Sequence, residues 1–266
     1  MRNVLVLVHE DQGQEARLQA SLSVTRAIDG HLTCLDVFVV PVVISDPWTG
    51  YTDTTLIHTA SVDDVSNRTR IEVRLAQEDV PWTMLSAAGD PALELRDAAK
   101  LADLIVVTSH GTSESMVAER QIVGHVVTHS RRPLLAVPPD CKSFDATGRA
   151  LVAWDGSRAA NEALRAAVPI LALAAEVTIL IVNETDGPFS AEEAASYVAR
   201  HGVEPRIIER TTREPVADAI LQQARVGEAD YIVMGAFGHG RAVEAVFGGV
   251  TRTVLARSPI PLLLAH

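Results

Sequence analysis

The stretch 234–251 reads M-G-A-F-G-H-G-R-A-V-E-A-V-F-G-G-V-T and concentrates the residue types that hold an anion. Gly235 and Gly238 follow an apolar run, and Gly248 and Gly249 come just before a helix-like run from Val250 to Ala256. Glycines permit positive φ and let backbone N–H groups approach a phosphate closely. A helix N-terminus adds roughly half a positive charge. Thr251 offers a hydroxyl, and His239 and Arg241 offer cationic contacts. The Gly-Lys-Ser/Thr ending of a Walker A loop is missing, and so is G-x-G-x-x-G. Spacing alone therefore leaves two readings open: a phosphate cradle, or glycines that only make tight turns.

Catalytic chemistry has little footing elsewhere. The chain has no G-x-S-x-G elbow, no H-E-x-x-H and no kinase set. Asp155, Glu184 and His239 are the groups that could approach phosphates and orient a water. Nothing supplies a magnesium clamp, so efficient phosphoryl transfer is not implied and no catalytic residue is assigned. His9, His110 and Cys34 fall toward one sheet edge, and His125 and His129 stand four apart on an expected helix, yet neither set has a ligand-motif spacing. No metal site is expected. The two cysteines, Cys34 and Cys141, make no disulfide framework, which suits a reducing compartment.

The elements that position these residues repeat. DLIVVTSHG (103–111) matches DYIVMGAFG (230–238), and SRRPLLAVP (130–138) matches SPIPLLLAH (258–266). NVLVLVHED (3–11) parallels RALVAWDGS (149–157). A duplicated domain follows, with halves at 1–140 and 149–266 and a linker at 141–148, inside a Pro-, Gly- and polar-rich stretch. In the second half, apolar runs at Ala150–Trp154, Val177–Val182, Pro205–Glu209, Tyr231–Met234 and Pro261–Ala265 predict strands. Helices are expected from Ser157 onward, over 191–201 and over 214–224. Strands apolar on both faces that alternate with amphipathic helices define an α/β fold with a doubly wound parallel sheet. Ligands of such sheets sit beyond the carboxyl ends of the strands, where strand order reverses.

The chain's 266 residues are 47% hydrophobic and 21% charged, with net charge −11, which is globular and disfavours nucleic acid or anionic lipid as partner. The apolar run Val4–Val8 is too short for a signal segment or a membrane span, and a cytoplasmic protein is expected.

Gly235, Gly238 and Gly248 have the spacing of glycine, two residues, glycine, nine residues, glycine. With the flanks ALVAWDGS and SPIPLLLAH, this resembles the nucleotide-binding signature of the universal stress protein family, and the family resemblance covers the whole chain, once per half. The resemblance implies two tandem domains of adenine nucleotide alpha hydrolase-like fold, related by a pseudo-twofold axis. It implies Ala153, Trp154 and Asp155 at the nucleoside and Val182 beside the base. Met234, Gly235, Gly238, Gly248, Gly249, Val250 and Thr251 would meet base, ribose and phosphates. The ligand would be ATP or another adenine nucleotide, with or without magnesium, bound as a stress-response signal. Alternatives are a nucleotide-free interaction protein with Trp154 occluding the base site, or a slow ATPase. The family's binders usually have Ser or Thr where Gly249 stands. In the first half Thr108 replaces Gly235, Arg120 falls opposite Gly248 and Glu10 takes the acidic place of Asp155, so this half is expected to bind ATP poorly. The polar stretch near 44–64 is an excursion, a lid or a partner loop. In single-domain relatives the last strands pair across a dimer, so LLAV (134–137) and LLLA (262–265) are expected to pair within this chain, an intramolecular pseudo-dimer with homodimers a further option. A protein partner is expected but not named by the sequence.

Overall fold

The computed structural model describes residues 1–38, 66–109, 122–124, 126, 130, 132–183, 187–236 and 249–266. The first half contains β1 (Asn3–Val8), α1 (Gln14–Ala27), β2 (His31–Phe38), a helix α2 over 66–75, β3 (Trp82–Ala88), α3 (Pro91–Ala98), β4 (Leu104–Thr108) and β5 (Leu134–Val137). The second contains β6 (Arg149–Trp154), α4 (Arg158–Leu171), β7 (Glu176–Val182), α5 (Ala191–Ala199), β8 (Pro205–Arg210), α6 (Val216–Val226), β9 (Tyr231–Gly235), α7 (Gly249–Arg257) and β10 (Leu262–Ala265).

All the described strands join one ten-stranded sheet in the order β3-β2-β1-β4-β5-β10-β9-β6-β7-β8. Read inward from either edge, the two halves follow the same path, which is the expected pseudo-twofold relation. Every pairing is parallel except the central one, where β5 and β10 run antiparallel with Leu135 opposite Leu263. The expected intrachain pairing of LLAV with LLLA is thus present. Leu134, Leu135, Leu262, Leu263 and Leu264 are all fully buried at this seam. Each contributes on the order of 1.5–3 kcal/mol by leaving water.

Period-two alternation along the strands separates two cores. Val152, Trp154 and Val233 face the layer of α1, α2, α4 and α5. Leu151, Leu180, Val182 and Met234 face α3, α6 and α7. Helix starts follow capping chemistry: the Ser157 hydroxyl accepts from Ala160 N at 3.1 Å, and Ser190 and Glu193 form a reciprocal capping box. The third helix of the second half begins at Val216 rather than Glu214, with Pro215 as its cap residue, because Thr212 holds the Glu214 N–H in the preceding turn at 3.0 Å. The helix expected to reach His201 ends at Ala199. The expected linker is packed, since Phe144 and Ala146 are buried and the Phe144 ring lies 5.3 Å from that of Tyr231. Asp103 and Asp230 repeat one device: each accepts the backbone N–H at the start of the neighbouring first strand, Asn3 at 2.9 Å and Arg149 at 2.6 Å. Among the described residues no helix is long and apolar enough to cross a membrane.

Candidate functional site

Strand order reverses between β6 and β9, whose chain connections leave in opposite directions, and a cleft of about 340 Å³ opens beyond their carboxyl ends. Its floor is Ala153 and Met234, with Leu180 and Val182 from β7 at the side and Val216 and Ile220 from α6 as the facing wall. Gly249, Val250 and Thr251 bring the start of α7 to the rim, and Asp155 and Ser157 bring the start of α4. An apolar chamber with two helix N-termini at its mouth suits a flat apolar group joined to an anion.

The backbone is shaped to make this mouth. A Cβ on Gly235 would lie 2.5 Å from Ala160 N and 2.6 Å from the Ala159 carbonyl carbon. Only glycine lets the end of β9 lie against the first turn of α4, so packing alone accounts for this residue. Gly249 is the opposite case, since no described atom lies within 4 Å of where a Cβ would point. The Thr251 hydroxyl is buried and donates a long bond of 3.4 Å to the Gly235 carbonyl, tying α7 to β9. Gly156 has φ +68°, and a Cβ there would meet the Phe189 carbonyl at 2.6 Å. Asp155 is exposed and accepts from Ser157 N at 3.0 Å, which closes the turn after β6. Asn183, with φ +61°, uses its side-chain oxygen to accept from Thr212 N at 2.9 Å and so fixes the exit of β7.

The Trp154 ring does not occlude the base site. Trp154 borders the cleft, but its indole packs in the opposite core and donates Nε1 to the Phe189 carbonyl at 3.3 Å. It neither offers a stacking face to the chamber nor blocks it. Ala153 is the residue whose side chain points into the chamber, because adjacent strand positions face opposite ways. Ala153, Asp155, Val182, Met234, Gly235, Gly249, Val250 and Thr251 come together here, while Gly238, Gly248, His239, Arg241 and Glu184 lie outside the described residues. The motif search missed Leu180, Val216 and Ile220. The apolar face of α6, expected next to β9 in a doubly wound sheet, was the available signal.

The first half carries the counterpart surface in closed form. β1 pairs with β4 at Val4–Leu104 as β6 pairs with β9 at Ala150–Tyr231, so Leu7 stands for Ala153, His9 for Asp155, Val107 for Met234 and Thr108 for Gly235. This corrects the expectation for Glu10: the strand register places His9 there. The surface lined by Leu7, His9, Arg17, Val107, Thr108 and Ile122 encloses about 10 Å³. No group of His, Cys, Asp and Glu able to hold a metal occurs among the described residues. The His9 ring is engaged by Asp11 at 2.7 Å, and Cys34 is buried within β2. His110, His125, His129, Arg120 and the stretch near 44–64 lie outside the described residues.

Fold and cleft together define a tandem, doubly wound α/β protein with an open cleft in its second half. The sequence model of the Universal stress protein family matches residues 147–266, the half that holds the cleft. The similarity to that family is carried by the second half, and the first half repeats the fold. A universal stress protein of Synechocystis is 25% identical over 173 residues, a match spanning 60% of this chain and 57% of that relative's length. A universal stress protein from Archaeoglobus fulgidus shares the fold over 99% of this chain and 97% of its own, with TM-score 0.78 and 21% identity. A functionally unknown protein from Pseudomonas aeruginosa matches 99% of this chain and 92% of its own, with TM-score 0.59 and 17% identity.

Proposed function

We propose that the second half binds an adenine nucleotide, ATP in the first instance, and that occupancy acts as a regulatory signal in a stress response. The observation that carries this reading is the cleft itself: a chamber of about 340 Å³ floored by Ala153 and Met234 and walled by Val182 and Ile220, with α7 starting at its rim. The chamber offers the base apolar surface on Met234, Val182 and Ile220. The first turn of α7, from Gly249 to Thr251, would turn its backbone N–H groups toward the anionic end. Gly238 and Gly248 would complete the phosphate contacts, with or without magnesium. The open chamber favours this reading over a nucleotide-free scaffold, because the Trp154 indole that would have blocked the base site lies on the other face.

Calorimetric titration with ATP, with and without magnesium, beside a Gly238→Asp variant tests the proposal. Micromolar binding at one site per chain, lost in the variant, supports it. Absence of heat and of any thermal shift with ATP, ADP or AMP overturns it.

A further inference from the structure

Arg17 is 1% exposed, and a charged side chain is almost never this buried without full pairing. Its guanidinium leaves α1 and crosses the ends of β1 and β4. Nε donates to the Leu7 carbonyl at 3.0 Å, Nη2 to the His9 carbonyl at 3.3 Å, and Nη1 to the two Asp11 oxygens at 3.0 and 2.8 Å. Nη1 also donates to the Thr108 hydroxyl. The fork thus ties β1, β4 and the β1–α1 turn together, and the rigid planar donor set suits such multiple pairing.

The side chain starts from the helix face away from the chamber, but its guanidinium ends on Leu7, His9, Asp11 and Thr108, whose counterparts Ala153, Asp155, Ser157 and Gly235 line the open cleft. The buried positions of α1, among them Leu18, Ser21, Leu22 and Val24, repeat those of α4 at Leu164, Ala167, Val168 and Ile170. In that register Arg17 stands where the second half has Ala163. The same comparison sets Leu7 for Ala153 and Thr108 for Gly235 at the switch point. Where the second half has small residues and a chamber of about 340 Å³, the first has a leucine, a threonine and a guanidinium and a space of about 10 Å³. Asp11 falls where Ser157 stands, so a carboxylate faces the place an anion would take, and Arg17 already neutralises it.

We infer that Arg17 is a resident occupant of the first half's counterpart cleft, an intramolecular cation that holds this corner closed. It rests on the proposed function only for the nature of the ligand in the second half; closure of the first half is read without nucleotide.

The test is thermal unfolding of the full chain carrying Arg17→Ala, alone and with millimolar ethylguanidinium or ethylammonium. Removing one partner of a buried ion pair lowers the melting temperature by about 10 °C. Ethylguanidinium restores several degrees in a saturable way, ethylammonium restores less, and the unaltered protein shows no saturable rise. A variant melting with the unaltered protein, or one that responds to ethylguanidinium no differently from it, overturns the inference. Should Arg17→Ala yield no folded protein, Arg17→Lys decides. It keeps the charge and loses the fork, so it melts several degrees lower if the fork closes the cleft, and an unchanged melting temperature overturns the inference. Absence of ATP binding in the second half would leave each of these outcomes unaffected, so the two readings fail separately.

Discussion

A Cβ on Gly13 would lie 2.5 Å from the Oγ1 of Thr108, so the larger residue of this contact sits on the strand and the smaller on the helix. In the second half the assignment is reversed, with Gly235 on the strand against Ala159 on the helix. The same helix–strand approach is thus kept by opposite choices, and only the second choice leaves room beyond the strand end.

Gly235→Ala is expected to destabilise the protein by about 1–3 kcal/mol, since the new methyl meets helix backbone rather than a side chain that can swing away. Gly249→Ser, placed clear of any described atom, is expected to change stability by less than about 0.5 kcal/mol. Urea unfolding of the two variants checks the contrast. Equal losses would remove the packing account of Gly235. In the same Gly249→Ser protein, ATP binding is expected to tighten severalfold through the restored hydroxyl.

Ala153→Leu copies Leu7 into the second half. The added side chain enters the chamber, so ATP affinity is expected to fall at least about tenfold while the fold persists. Titration beside a melting curve separates lost binding from lost structure. Undiminished binding would show that the base does not rest on Ala153.

Asp11 supplies a pH dependence whose direction is fixed. Burial alone would raise its pKa, but the hydrogen bond with His9 and the charge of Arg17 outweigh burial and hold the carboxyl at about 2 against an ordinary 3.8. A depressed carboxylate stabilises the fold above its unfolded pKa and loses that contribution as pH falls toward its folded value. About 2 kcal/mol is therefore expected to disappear between about pH 5 and pH 2. Asp11→Asn should be less stable at pH 7 and show a shallower decline over that window. Parallel curves for the two proteins would contradict the assignment.

The cysteines are expected to differ in reactivity. Burial pushes the Cys34 thiol up to about 12, whereas Cys141 is half-buried and raised less, its Sγ lying 3.1 Å from the Ser143 carbonyl. Labelling of the folded protein with a thiol reagent should proceed at Cys141, and at Cys34 only after unfolding. Two equally fast thiols would contradict the burial of β2.

The sheet was legible because its strands are apolar on both faces, as in Ala150–Trp154, and its helix starts because Ser157 and Ser190 are chemically suited to cap. The direction of the Trp154 ring was also available, since Val152 and Trp154 share a strand face that Ala153 does not; the family pattern drew attention to the position rather than to its parity. Arg17 was not legible. A cation on an amphipathic helix reads as solvent-facing, and its burial depends on Leu7, Asp11 and Thr108, the last of them far along the chain. The His9 position, by contrast, was legible, because the parallel of NVLVLVHED with RALVAWDGS already sets His9 opposite Asp155; Glu10 draws attention only because it shares the acidic charge.

The antiparallel junction of β5 with β10 makes association of the halves a unimolecular event, so dilution cannot separate them as it separates a dimer. It also frees them from being copies. In a dimer of identical chains every substitution appears on both sides of the axis, and an arginine that filled one cleft would fill the other. With each side encoded separately, one can give up its cavity while the other keeps it, and the pair is still held by the same buried leucines.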